Sequence, residues 1–108
     1  MKKAILKPSE EILFLEGMMY LKGFLEGANF TSTEELVNRF PEDFRLISSG
    51  KDEKERDYVL LAYGNFRYTV IYSKYHRRLI ISNDVLFLNP NSYELEEVVI
   101  PRHLLNKY

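Results

Sequence analysis

Apolar side chains recur at helical spacing early in the chain, with Phe14, Met18, Leu21 and Leu25 at i, i+4, i+7 and i+11. Lys22 and Glu26, four apart, ride another face. Ser9 supplies an N-cap ahead of Glu10 and Glu11, two acids suited to the positive end of a helix dipole, and Gly27 closes the segment. The spacing therefore predicts a first helix from Ser9 to about Gly27. Ile12, Leu13, Leu15, Met19, Tyr20 and Phe24 widen its apolar surface beyond a single stripe. Such a helix is either central to the core or meets a partner, with Met18 and Leu21 as the candidate interface of a homodimer. Thr31-Ser32-Thr33-Glu34 reads as a capping box into a second helix whose apolar face is Leu36, Val37 and Phe40, bounded by Pro41. Pro41-Glu42-Asp43-Phe44 has the makings of a further short helical turn.

The pattern then changes period. Ser48 to Asp57 contains no apolar residue and mixes charges, the composition of a solvated loop. Tyr58 to Tyr63 is an apolar run, Gly64-Asn65 is a two-residue hairpin signal, and Phe66 to Ser73 is rich in β-branched and aromatic residues. Strand alternation puts Phe66, Tyr68, Val70 and Tyr72 on one face, expected against the helices, and Arg67, Thr69, Ile71 and Ser73 on the other. A reversal around Lys74 to Arg77 leads into Leu79 to Ser82, and Ser82-Asn83-Asp84 reads as another turn before Val85 to Leu88. After the turn signal Asn89-Pro90-Asn91-Ser92, residues 93–100 fit a helix by their Glu content or a strand by Val98-Val99-Ile100. A final strand is favoured, followed by a short helical turn begun by Pro101. The expected fold is α+β: two N-terminal helices packed on a three- to five-stranded antiparallel meander, in one domain over residues 1–108.

A chain of 108 residues can bury roughly two-thirds of its unfolded surface, enough for a core without a metal or disulfide. The absence of Cys removes disulfides, thiolate metal sites and Cys nucleophiles. The apolar run after Met1-Lys2-Lys3 is shorter than the roughly seven residues a signal peptide needs, and Glu16, Lys22 and Glu26 interrupt the most apolar stretch. A cytoplasmic protein with no membrane partner is expected. His76 and His103 stand alone, without a second His or a carboxylate at ligand spacing, so no metal or other cofactor is expected. The acid pairs Glu10-Glu11 and Glu34-Glu35 complement helix dipoles, and no phosphate-binding or nucleophile motif is present. An enzyme is not expected.

Charge is unevenly spread. The net charge is −1, yet residues 9–45 carry eight acids against three bases, whereas Phe66 to Ser82 holds Arg67, Lys74, Arg77 and Arg78 with no acid. Tyr68, Tyr72, Tyr75 and His76 interleave with those cations. The candidate binding residues are Arg67, Tyr72, Lys74, Tyr75, His76, Arg77 and Arg78. Cations beside rings suit single-stranded RNA, and equally suit an Arg/Tyr anchor in a protein interface. A third possibility is that basic strands offset acidic helices within the fold.

The predicted order of a short N-terminal strand, two helices and a meander, with Gly64-Asn65-Phe66-Arg67-Tyr68 entering Val70-Ile71-Tyr72, resembles the RelE/ParE toxin fold over residues 3–82. That resemblance rests on the glycine, aromatic, Arg and Tyr pattern of one hairpin, and it implies Arg67, Tyr75 and Arg77 around an RNA. The short second helix and the near-neutral charge depart from the toxin pattern. The residues themselves point first to a non-enzymatic protein-interaction module, a regulator or inhibitor that covers part of another macromolecule. The alternative is an RNA-binding or toxin-like domain that uses the hairpin.

Overall fold

A computed structural model describes residues 1–101. Helix α1 spans Pro8–Ala28, with Pro8 at its first turn, where the missing N–H costs nothing. Its cap is Lys7, two residues earlier than the expected Ser9: the Glu10 carboxylate accepts from the Lys7 N–H at 2.8 Å. At the other end Asn29 adopts the left-handed conformation at φ 54° and its N–H donates to the Leu25 carbonyl. Helix α2 is a short Thr33–Asn38, capped by Ser32, whose hydroxyl accepts from Glu35 N at 3.3 Å. The architecture is thus α+β with one long helix and one short one.

Six strands follow: β1 (Arg45–Lys51), β2 (Asp57–Tyr63), β3 (Phe66–Ser73), β4 (Arg78–Ile81), β5 (Leu86–Leu88) and β6 (Leu95–Glu97). All their pairings are antiparallel, in the order β1-β2-β3-β5-β6, with β4 also on β3. Strand β1 corrects the expectation of a loop from Ser48: Ser48, Ser49, Gly50 and Lys51 pair with Leu60, Val59, Tyr58 and Asp57. An outer strand needs pairing on one side only, so polar residues are tolerated there. The loop shrinks to residues 52–56, where Asp52 accepts from Lys54 N at 2.9 Å and from Arg56 N and Nε at 2.8 Å. The Arg56 backbone N–H in particular holds the Asp52 carboxyl below its usual range.

Gly64 opens the β2–β3 turn at φ 58°, and Asn65 does not share the positive φ, the pattern of a type II′ hairpin turn. Strands β4 and β5 do not form the expected hairpin with each other; both lie on the same edge of β3. Ile81 opposes Val70 and Leu86 opposes Arg67, five residues apart on one side and three on the other. Two residues are therefore extra, and they are Asn83 and Asp84, because Ser82 still donates to Thr69 O at 2.8 Å. Locally, Asp84 N bonds Ser82 Oγ at 3.2 Å, which turns the chain aside without reversing it. The expected last strand is present as β6. The strand expected at the N-terminus reduces to one parallel bridge from Lys3 to Glu97. The helical turn expected after Pro101, and His103 with it, lie outside the described residues.

Both helices pack on one face of this sheet. Phe14, Leu21 and Leu25 of α1 and Leu36 of α2 join Val59, Leu61, Phe66, Tyr68, Val70, Leu79, Ile81 and Phe87 in one core cluster. Approach is closest at Gly17, where a Cβ would stand 2.5 Å from Tyr68 Oη and 2.8 Å from Tyr63 Cδ2. That gap lets the Tyr68 hydroxyl donate to the Phe14 carbonyl at 2.6 Å while the two rings stack. Burial pushes the Tyr68 hydroxyl well above its ordinary pKa.

Candidate interaction surface

The β3–β4 hairpin ends in a tip, Lys74 to Arg77, that is ordered by its own side chains. His76 N–H donates to Ser73 Oγ at 3.1 Å, and the same hydroxyl lies 2.9 Å from His76 Nδ1. Arg77 takes the left-handed conformation at φ 54° to close the turn. Tyr75, 90% exposed, meets His76 edge-on with ring centroids 5.0 Å apart. Lys74, Tyr75, His76, Arg77 and Arg78 are all exposed here, and five of the seven candidate residues thereby come together.

The other two candidates separate by the alternation of β3. Tyr72 is half-buried on the helix side: it sits opposite Leu79 and packs against the core. Arg67 is half-buried on the opposite face, across from Ala62 and Leu86. The interface expected on α1 also moves. Leu21 is fully buried and Met18 is partly buried against the core, because both point at the sheet. The apolar residues that α1 leaves to solvent are Ile12, Met19 and Tyr20, at 64%, 72% and 53% exposure.

The face of the sheet turned away from the helices carries features that composition alone does not reveal. Cross-strand register aligns Tyr58, Ile71 and Ile80 in one row, Leu60 and Thr69 in the next, and Ala62, Arg67 and Leu86 in a third. Ala62 and Ile71 are buried, at 4% and 8% exposure, although neither is in the cluster beneath the helices, and no described helix lies over these rows. Tyr58, Leu60, Ile80 and Leu86 are only half-buried. A shallow depression at one end is lined by Lys54, Arg56, Ile71, His76, Ile80 and Asp84, which joins the face to the basic tip. The sequence signal for this face was available: Tyr58 to Tyr63, Leu79 to Ile81 and Leu86 to Leu88 are apolar at every position, where a sheet with one wet face alternates.

On the helix side, the groove between α1 and β4, lined by Leu25, Phe30, Leu79 and Ile81, has a volume of ≈ 130 Å³. Small-molecule sites run to roughly 300–1,000 Å³. Tyr63 Oη donates to Glu16 at 2.5 Å on this same side, and that hydrogen bond, reinforced by burial, pushes the phenol up to about 12. Among the described residues no three His, Asp or Glu side chains come together to hold a metal ion, and no helix is long and apolar enough to cross a membrane. Comparison with protein-family models, with curated proteins and with solved structures finds no match to the chain.

Proposed function

We propose that the chain is a protein-interaction module, a small regulator or inhibitor that acts by covering part of another macromolecule. One observation carries this reading: the outer sheet face presents Tyr58, Leu60, Ile80 and Leu86, each half-buried around the buried Ile71, with no described helix over them. Leaving apolar surface wet is costly, at about 25 cal/mol per Å², and contiguous patches of this kind mark interaction sites. The basic tip at the edge of the same face supplies Arg and Tyr, the side chains favoured as interface anchors.

RNA is the second reading, favoured by Tyr75 at 90% exposure among Lys74, Arg77 and Arg78. The outer face itself offers only one ring in the paired rows, Tyr58, because Phe66, Tyr68 and Tyr72 point to the helices. The two readings separate by salt. Binding of mixed-sequence single-stranded RNA to the full chain, measured at two salt concentrations, is expected to be weak. Micromolar or tighter affinity that falls steeply with salt would overturn the protein reading. For the protein reading, partners crosslinked in native extract should survive nuclease treatment and be lost with Ile80→Asp.

A further inference from the structure

We infer that the outer sheet face receives an amphipathic helix of the partner, about thirteen residues long, apolar along its middle and acidic at both ends. This rests on the protein-interaction reading and adds the chemistry of the partner. A face of a sheet cannot be extended by strand addition, which needs an edge, so what covers it is a further layer: a helix or another sheet. The apolar runs of β2, β4 and β5 are those of a sheet covered on both sides.

The dimensions follow from the register. From the row of Arg67 to the row of Ser73, six residues of β3 at about 3.3 Å each give roughly 20 Å, which a helix spans in about thirteen residues. Cations stand at both ends of that length. Arg45 and Arg67 flank Ala62 at one end, and Arg78 and Lys54 lie at the other. Carboxylates near these groups are Glu97, opposite Leu86, Asp84 at the rim, and Glu53 and Glu55 on either side of Lys54, while Asp52 is engaged by Arg56 at 2.8 Å. Because arginines stand at both ends, Arg45 and Arg67 at one and Arg78 beside the basic tip at the other, packing this face on a second copy in either orientation would bring arginine against arginine, a juxtaposition that interfaces avoid. An acidic partner meets the same groups with complementary charge.

The test uses the full chain and three labelled synthetic peptides of about fourteen residues, read by fluorescence anisotropy. All share leucines at i, i+3, i+4 and i+7; one carries Glu at both ends, one carries Lys, and one is a scramble of the Glu peptide. The Glu peptide should bind at least about ten-fold tighter than the Lys peptide or the scramble. Arg67→Glu with Arg78→Glu, the first half-buried and the second exposed, should reverse that preference, and Ile80→Asp should remove binding while leaving the circular dichroism spectrum unchanged. Equal binding of Glu and Lys peptides, lost together in Ile80→Asp, would overturn the acidic assignment and leave the interaction reading standing. No binding of the Glu peptide at millimolar protein would overturn the helix itself. A dimer in sedimentation that Ile80→Asp dissolves would replace the partner with a second copy.

Discussion

Strand β3 has two faces with opposite fates. Phe66, Tyr68 and Val70 are sealed beneath α1, while Arg67 and Thr69, one residue over in each case, are half-buried on a face that no described helix covers, where only Ile71 is itself buried. On the inner side every apolar group meets another, and the Tyr68 hydroxyl finds the Phe14 carbonyl. On the outer side the apolar rows lie between Arg45 and Arg67 at one end and Arg78, beside the basic tip, at the other. Stability is concentrated on one face and recognition is proposed for the other, so substitutions on alternate residues of one strand should have unrelated consequences.

The sharpest contrast should come from truncating a ring on the sealed side. Phe66→Ala should cost about 3–5 kcal/mol in denaturant unfolding, because Phe66 is fully buried against Phe14 and Phe87. Gly17→Ala should follow at about 1–3 kcal/mol, since its methyl must push α1 away from Tyr68 and Tyr63. Wild-type stability for Gly17→Ala would mean that the helix does not approach this closely. Tyr68→Phe keeps the stack and removes only the hydrogen bond to Phe14, for about 0.5–1.5 kcal/mol. On the outer face Ile80→Thr, which keeps the β-branch, should change stability by less than about 1 kcal/mol. A loss there as large as that of Phe66→Ala would break the distinction between the two faces.

Alkaline titration probes the sealed side without truncating it. The folded phenol of Tyr63 titrates at about 12, above its ordinary 10, so its contribution to stability is complete below pH 10 and is lost as pH rises through 12. Glu16→Ala removes the main cause, the hydrogen bond that the Tyr63 hydroxyl donates to Glu16, and phenolate absorbance should then show Tyr63 ionising at lower pH.

The elements with strong local signals were legible in the sequence: the periodic run that became α1, the Gly64-Asn65 turn, and the split of β3 into an aromatic face and an Arg-bearing face. Strand β1 was not, because Ser48-Ser49-Gly50-Lys51 is held by pairing with β2 and owes nothing to apolar periodicity. The start of α1 was misplaced because Ser9 is an eligible cap, yet Pro8 and the reach of Glu10 to Lys7 N decide the matter. For the candidate surface, the exposed tip followed from composition. The place of Tyr72 on the helix side followed from alternation, but charge patterning counts residues without regard to face. The outer apolar rows depend on which strands are neighbours, information that exists only once the register is known.

The jog at Asn83 and Asp84 works as a reading frame for the two faces. Since exactly opposite sides of a strand are set by odd and even count, an insertion of two leaves Val85 and Phe87 indoors and Leu86 outdoors, as though the chain had never stepped aside. A deletion of either residue alone would turn Leu86 and Leu88 inward and expel Phe87 with its neighbours; deletion of both would restore the frame. Length variation at this point should be admissible only in pairs, which confines how the chain between β4 and β5 can drift while the outer face keeps its composition.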